Sequence, residues 1–335
     1  MIRRLGELPV PMRMVFLVFL LLATAVLSIA VGAADLTPAT VLHTLTGGGG
    51  PTARTIVLDL RLPRAVLAVL VGGGLALSGA VFQALLRNPL AEPYILGVSG
   101  GAAVGAVGAA VLGLAAGIGW GTPVAAFGGA VLAIALVFRI AVAAGRAMDA
   151  RVLLLAGVVV GAFFNAVILL LLTLADVQTF RSAVFWMMGS LADASWASVG
   201  LLTLYLAPAV IVLLALARPL NLIAIGEETA AYLGTRVERV KRLAYVIASL
   251  LVAASVAFSG VIGFVGLIVP HALRMVWGSE HRFLLPASVL AGGTFLLLAD
   301  TLARTVAAPV ELPVGVVTAL VGVPVFVVLL TRRKA

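Results

Sequence analysis

The segment RLPRAVLAVLVGGGLALSGAVFQALLRNP, residues 61–89, decides the fold class. It holds 22 consecutive uncharged residues, from Ala65 to Leu86, and about 20 such residues cross the hydrocarbon core of a bilayer as a helix. Comparable runs recur along the chain, whose 335 residues are 63% hydrophobic and 10% charged, with a mean hydropathy of +1.24. The sequence therefore predicts an all-α polytopic membrane protein with one membrane-spanning domain, residues 1–335.

The positions of Lys and Arg order the spans, because cytoplasmic loops carry more of them. Arg3, Arg4 and Arg13 precede the first run, which at 21 uncharged residues exceeds the apolar core of a secretory signal. Three basic residues lie near the C-terminus. We therefore predict about ten spans with both termini cytoplasmic. The runs are Met14–Ala34, Ala65–Leu86, two within Pro93–Phe138, Val152–Ala175, Trp196–Ala217, two short helices within Leu243–Leu273 that turn near Ser259-Gly260, Phe283–Ala299 and Leu312–Leu330.

This topology leaves five of the 22 basic residues outside: Arg54, Arg61, Arg64, Arg181 and Arg304. The net charge of +9 is then carried mainly by the cytoplasmic side. We expect the surroundings of the chain to be the lipid bilayer, with no nucleic acid as a partner.

The two halves of the chain show a weak echo. Ser78-Gly79 precedes Pro89 at the spacing at which Ser259-Gly260 precedes Pro270. Ten spans would fit two inverted repeats of five, as in many transporters. The two matches are short and lie in glycine-rich sequence, so they carry little weight.

Composition limits the chemistry. The chain has no cysteine, which excludes a disulfide framework, a thiolate metal site and a cysteine nucleophile. Neither Lys241 nor Lys334 follows a glycine, so a Walker A phosphate loop is absent. We expect no metal site and no cofactor in this chain, and if ATP drives it, ATP and Mg²⁺ bind to a partner subunit.

Two alternative functions follow from the membrane class. Gly97–Gly101 reads GVSGG, which fits the G-x-S-G of intramembrane serine proteases, with Ser99 as the nucleophile. The candidate bases would be His271 or His281, because His43 lies in an outer loop. An ion-coupled secondary transporter is the second alternative, but the predicted spans hold no ionisable residue at mid-depth.

One stretch contrasts with the rest of the chain. IGEETAAYLGTRVERVKR, residues 225–242, has eight ionisable residues in eighteen and lies in the predicted cytoplasmic loop 218–242. Glu227 and Glu228 would occupy the first turn of a helix and Gly234 would lie near its end, an arrangement that suits the helix dipole. Ala230, Ala231 and Leu233 could then face a partner, or the loop could be a solvated connector.

Five stretches resemble the FecCD-type permeases of bacterial ABC importers, the family of the vitamin B12, haem and ferric-siderophore transporters. They are RLPRAVLAVLVGGGLALSGAVFQALLRNPLAEPYILGVSGGAAVG (61–105), WMMGSL (186–191), GEETAAYLG (226–234), SGVIGFVGLIVPHALR (259–274) and ELPVGVVTALVGVPVF (311–326). RNPLAEP and GLIVPH are the most specific of these motifs. The resemblance implies the fold of the vitamin B12 permease and a place in the bacterial cytoplasmic (inner) membrane.

The resemblance also implies partners. These are a second copy of the chain, two cytoplasmic ATPase subunits and an extracytoplasmic substrate-binding protein. Residues Glu227–Gly234 match the coupling helix, which in that family contacts the ATPase; the residues concerned are Glu227, Glu228, Ala230, Ala231, Leu233 and Gly234. Arg61, Arg64 and Arg304 match arginines that dock the binding protein.

The fifth span carries Gly157, Gly161 and Asn165 at intervals of four, a stripe that would allow close helix approach. In the resembling family this span lines the path between the two subunits. The cargo implied is a metal chelate: an iron siderophore or haem, with cobalamin close behind.

Overall fold

The computed structural model describes residues 9–32, 36–114, 120–145 and 148–332. It is 81% helix, with no strand in these ranges, which confirms the all-α prediction. Arg3, Arg4, Arg333 and Lys334 lie outside them. The helices are α1 Val10–Ala30, α2 Pro38–Leu45, α3 Pro51–Leu85, α4 Val98–Val111, α5 Gly121–Ala143, α6 Ala150–Leu174, α7 Val177–Met187, α8 Trp196–Ala215, α9 Ala217–Ile225, α10 Glu227–Tyr232, α11 Val237–Ser259, α12 Val265–Trp277, α13 His281–Thr305 and α14 Val314–Arg332.

Seven of these helices are long and apolar enough to cross a membrane, namely α1, α3, α5, α6, α8, α11 and α13. Within the described ranges three shorter apolar helices accompany them: α4, α12 and α14. A polytopic membrane protein is therefore supported. That all ten cross the bilayer, with both termini cytoplasmic, stays a prediction.

Several helices begin or end at other residues than the predicted spans. The break near Ser259-Gly260 is confirmed, and Gly260 has a φ of +64°. The helix before it is not short, however, because α11 begins at Val237 and has 23 residues. Its first turns carry charge, so a count of uncharged residues misses them. At the other end of the chain α13 continues to Thr305, which places Asp300 inside a helix rather than in a loop.

The short helix α7 lies between α6 and α8. The Asp176 carboxylate caps this helix by accepting hydrogen bonds from the backbone of Gln178 and Thr179, at 2.9 and 3.0 Å. The Thr179 hydroxyl donates to the same carboxylate at 2.7 Å. These bonds, the one from the Thr179 hydroxyl foremost, hold the pKa of Asp176 below its usual range.

Helix α3 lies at the centre of the bundle and packs against α8, α11, α12 and α13. Its glycines allow backbone contact with α13. A β-carbon at Gly73 would lie 3.0 Å from the Val289 carbonyl oxygen, and one at Gly293 would lie 3.0 Å from Val69 Cγ1. Small residues therefore set the distance between these two helices, as is common in membranes.

Gln83 of α3 replaces a backbone hydrogen bond that is missing in α12. Pro270 lies inside α12 and has no N–H to offer the carbonyl of Gly266, one turn earlier. The Gln83 amide donates to the carbonyls of Gly266 and Leu267 instead, each at 3.2 Å. The Arg274 guanidinium donates in turn to the Gln83 carbonyl oxygen.

The internal echo is not reproduced. Ser78-Gly79 lies within the continuous helix α3, whereas Ser259-Gly260 ends α11. Pro89 lies in a turn between helices, while Pro270 is inside α12. The two matches therefore do not mark equivalent positions of two repeats.

Candidate functional site

The charged stretch forms a short, well-bounded helix. Glu227 and Glu228 are in the first turn of α10, as predicted. Gly234 follows with a φ of +84°. The amides of Gly234 and Thr235 donate to the carbonyls of Ala231 and Ala230, both at 2.9 Å, which is a Schellman C-cap. Glycine is needed there because the left-handed backbone disfavours a β-carbon.

An ion pair attaches α10 to the base of α11. The Lys241 ammonium lies 2.9 Å from the Glu227 carboxylate. Lys241 is buried, whereas Glu227 is only partly covered. The carboxylate therefore both neutralises a buried cation and fixes the first residue of α10.

A second polar link holds the helix that leads into α10. Asn221 of α9 accepts hydrogen bonds at its side-chain oxygen from the His281 backbone, at 2.8 Å, and pairs with His281 Nδ1 at 2.6 Å. Its amide donates to Glu280 at 3.4 Å. Sequence reasoning considered His281 only as a catalytic base and missed Asn221, because no local pattern links residues sixty positions apart.

The solvent-exposed surface of α10 and its flanking residues carries apolar side chains. Tyr232 is 92% exposed, and Ile225 and Leu233 are largely exposed as well. Ala231 is exposed beside them. Ala230, in contrast, is fully buried, so the prediction that it faces a partner is wrong: it packs α10 onto its own chain. An exposed apolar cluster with a charged rim is typical of a protein-binding surface.

The predicted path residues do not share one face. Gly157 is buried, and a β-carbon there would approach Leu96 Cα to 2.8 Å. Asn165 is exposed. The eight positions from Gly157 to Asn165 correspond to two helical turns and about 80° of further rotation. The two side chains therefore lie on different faces of α6. Gly157 lies in close contact with the segment Pro93–Gly97 of the same chain. A role of Gly157, Gly161 and Asn165 in a path stays a prediction.

Two of the three predicted docking arginines, Arg64 and Arg304, form a compact ionic cluster around Asp300. Asp300 is fully buried and accepts hydrogen bonds from Arg64 at 2.9 and 3.1 Å. Arg304 lies 3.3 Å from the other Asp300 oxygen, and Arg64 also pairs with the exposed Glu311 at 2.8 Å. Asp300 is thus shared by two guanidinium groups.

Arg61 and Arg304 also cap α1. Arg61 donates to the carbonyls of Ile29 and Ala30 at 2.8 and 3.0 Å, and Arg304 donates to the carbonyl of Ser28 at 2.8 Å. The last carbonyls of a helix have no partner within it, so these buried cations satisfy them. Docking by the three arginines stays a prediction, and their observed contacts are internal.

Ser99 lies half-buried in the first turn of α4. In the described part of the chain no hydrogen bond joins it to a histidine, and His281 Nδ1 is engaged by Asn221. The geometry therefore gives a nucleophilic serine no support.

Comparison with known proteins gives a consistent result. The sequence profile of the FecCD transport family matches residues 20–332. A cobalamin import system permease, BtuC of Halobacterium salinarum, is 45% identical over 283 residues, covering 84% of this chain and 75% of that one. A hemin transport system permease, HmuU of Yersinia pestis, is 40% identical over 321 residues, covering 95% of each.

Solved structures agree. A structure described as an inward-facing conformation of a "metal-chelate type ABC transporter" superposes with a TM-score of 0.86 at 35% identity, covering 96% of this chain and 99% of that one. PsaBC from Streptococcus pneumoniae, in complex with Fab, has a TM-score of 0.56 at 16% identity, covering 87% and 94%. The second likeness concerns the fold alone.

The Lys241–Glu227 pair can be tested by proteolysis. Glu227→Ala should loosen α10, because buried Lys241 loses its partner. Allowing for the partial exposure of Glu227, we expect a cost of about 1 kcal/mol, roughly fivefold in local opening. Trypsin cleavage after Arg236 and Arg239 of the folded protein measures it. Glu228→Ala, an exposed neighbour, is the control, and equal cleavage rates in both variants would contradict the role of the pair.

The ionic cluster can be tested by stability. Asp300→Ala leaves Arg64 and Arg304 without their shared carboxylate, and breaking a buried pair costs about 3–5 kcal/mol. We expect a large drop in the thermal midpoint of the detergent-purified protein. Asp193→Ala, at an exposed carboxylate, should change it little. A midpoint for Asp300→Ala equal to that of Asp193→Ala would show that the cluster is not stabilising.

Proposed function

Because the chain belongs to the FecCD transport family, we propose that it is the membrane-spanning subunit of an ATP-driven importer of a metal chelate. It is an ABC permease of the class that serves metal chelates, vitamin B12 and haem. The family match over residues 20–332 carries this assignment. Within the class we favour an iron siderophore or haem, with cobalamin next, and the cytoplasmic membrane of a bacterium as the location.

The chain supplies transport and its partners supply energy. ATP and Mg²⁺ bind to two cytoplasmic ATPase subunits, and this chain holds neither a nucleotide nor another cofactor. The surface formed by Ile225, Ala231, Tyr232 and Leu233 is the contact with the ATPase, with Glu227 and Glu228 at its start. Its support is the exposure of these apolar side chains on and beside α10, which one polar link fixes to α11, while a second link fixes the preceding helix α9 to α13.

Two copies of the chain enclose the path. Helix α6 supports this arrangement, because Leu155, Val159, Phe163 and Leu170 are exposed along it together with the polar Asn165. An exposed amide at the middle of a membrane helix favours a protein or aqueous neighbour over lipid. The binding protein delivers the chelate at the opposite end from α10.

Charge reversal of the arginines alone does not test docking of the binding protein. Reversing the charge of Arg61 or Arg304 would also remove the caps of α1, so a loss of docking could reflect a loss of folding. Arg64 and its exposed partner Glu311 are the members of the cluster nearest to solvent. Affinity for the binding protein should therefore be compared at low and high salt, on variants that first pass a folding test.

The function can be tested by reconstitution. The chain is placed in proteoliposomes with its ATPase, and the binding protein is loaded with a ferric siderophore, haem or cobalamin. We expect ATP-dependent uptake of one of these chelates, and no uptake when a proton or sodium gradient replaces ATP. The chain alone should not hydrolyse ATP. Gradient-driven uptake without the ATPase would favour a secondary transporter and overturn the proposal.

The coupling surface can be tested at Ala231. Ala231→Glu places a charge in the proposed contact, and an unpaired charge at a protein interface costs about 2–5 kcal/mol, so affinity for the ATPase should fall at least about 30-fold. Binding of the ATPase to the purified permease measures it. Ala192→Glu places the same charge at an exposed alanine outside loop 218–242, and this variant should bind the ATPase normally. Full ATPase affinity and uptake in Ala231→Glu would make loop 218–242 a connector.

A further inference from the structure

Two of the apolar helices are shorter than the hydrocarbon core of a bilayer is thick, and each follows a break in helical structure. Helices α4 and α12 have 14 and 13 residues, about 21 and 20 Å, against a hydrocarbon core of about 30 Å. Residues 86–97, with a 3₁₀ turn at Pro93–Leu96, precede α4, and residues 260–264 precede α12. Irregular backbone at such depth persists only where protein satisfies it or where it lines a cavity.

The two breaks meet and bond to each other. The Tyr94 hydroxyl donates to the Ile262 carbonyl at 2.8 Å and accepts from the Ile262 amide at 3.2 Å. Glu92 accepts from the Phe264 amide at 2.8 Å. Two side chains of the first break thus satisfy three backbone groups of the second. We call Glu92 and Tyr94 the clasp.

The clasp holds a strained backbone. Phe264 has a φ of +69°, an unusual conformation for a bulky residue, and it is the residue before α12. Pro93 packs against Gly266, where a β-carbon would lie 2.9 Å from the proline ring. Such strain persists only when the surrounding structure imposes it.

The other side of the second break faces open space. Val261, Gly263 and Phe264 form one wall of an apolar groove of about 640 Å³. The groove is also lined by Met187 and Met188 and by residues of α14, including Gly315 and Leu320. Residues 260–264 are therefore hydrogen-bonded to the clasp through Ile262 and Phe264 and line the groove through Val261, Gly263 and Phe264.

We propose that Glu92 and Tyr94 are positioning residues that shape the non-helical wall of this groove, along which the apolar part of the transported chelate passes. The inference rests on the proposed importer function. The clasp bonds the carbonyl and amide of Ile262 and the amide of Phe264, so these three backbone groups need no water. They are then not available to a passing chelate, and the segment offers it fewer polar groups that would hold it.

The acceptor oxygen of Glu92, not its charge, performs this role. In the described part of the chain Glu92 has no ion-pair partner, and its oxygen bonds a backbone amide. A glutamine keeps that acceptor, so Glu92→Gln should behave as the wild type. Glu92→Ala removes the acceptor, and Tyr94→Phe removes both bonds to Ile262 with almost no change of shape.

The test combines two measurements on the reconstituted permease with its ATPase and binding protein. Amide hydrogen exchange over residues 260–266 should become about tenfold faster in Tyr94→Phe and Glu92→Ala, the effect expected for losing one or two ordinary hydrogen bonds. Chelate uptake should fall about tenfold, with ATPase binding unchanged because Glu92 and Tyr94 bond residues 262 and 264 and not α10. Glu92→Gln and Tyr205→Phe, a tyrosine of α8 whose ring lies against Phe127, should match the wild type.

The outcomes are separable. Normal uptake in both Tyr94→Phe and Glu92→Ala would overturn the proposal, as would lost uptake with unchanged exchange over residues 260–266. Loss of uptake in Glu92→Gln would show that the charge matters and would also overturn it. If the wild-type complex imports no chelate, the proposed function fails, whereas the exchange measurement still decides whether the clasp holds residues 260–264.

Discussion

Inside a bilayer every backbone N–H and C=O must find its partner within the protein, and this constraint governs the structure described above. Helices meet it along their length but not at their ends or breaks. At those places side chains complete the bonding. Arg61 and Arg304 do so for the last carbonyls of α1, and Gln83 does so beside Pro270.

The same constraint explains where charge is tolerated. Asp300 is fully buried, yet it accepts hydrogen bonds from Arg64 and forms an ion pair with Arg304, and these two guanidinium groups lie on different helices. One of these, Arg304, bonds at the same time to a carbonyl of α1. Each buried charge therefore joins two or three helices. Their positions near the ends of apolar runs placed these arginines on the outer side, and the family resemblance implied that they dock the binding protein. The pair of Arg64 and Asp300 joins residues 236 positions apart, which no local pattern reveals.

Much of the rest was predictable from the sequence, and the reasons are physical. Long uncharged runs predict the helical class and most spans, since desolvating charge is costly. Acidic residues followed by glycine predict the start and end of α10, because both act locally on helix termini. Prediction failed where burial depends on tertiary packing. Ala230 and Ala231 are chemically identical neighbours, but one lies beneath α10 and the other on its surface. The approach of Gly157 to the Pro93–Gly97 segment likewise depends on a break that hydropathy does not show.

Helix α11 has a mechanical consequence. It is one uninterrupted rod of 23 residues, about 34 Å long, and it contains no proline or glycine. Near its first turns Lys241 is tied to α10, and directly after its last residue the chain enters the irregular segment 260–264. A stiff rod displaced at one end moves at the other. A shift of α10 by a cytoplasmic partner would therefore be transmitted along the axis of α11 to the groove wall as a push or a rotation, without any helix having to bend or unfold on the way.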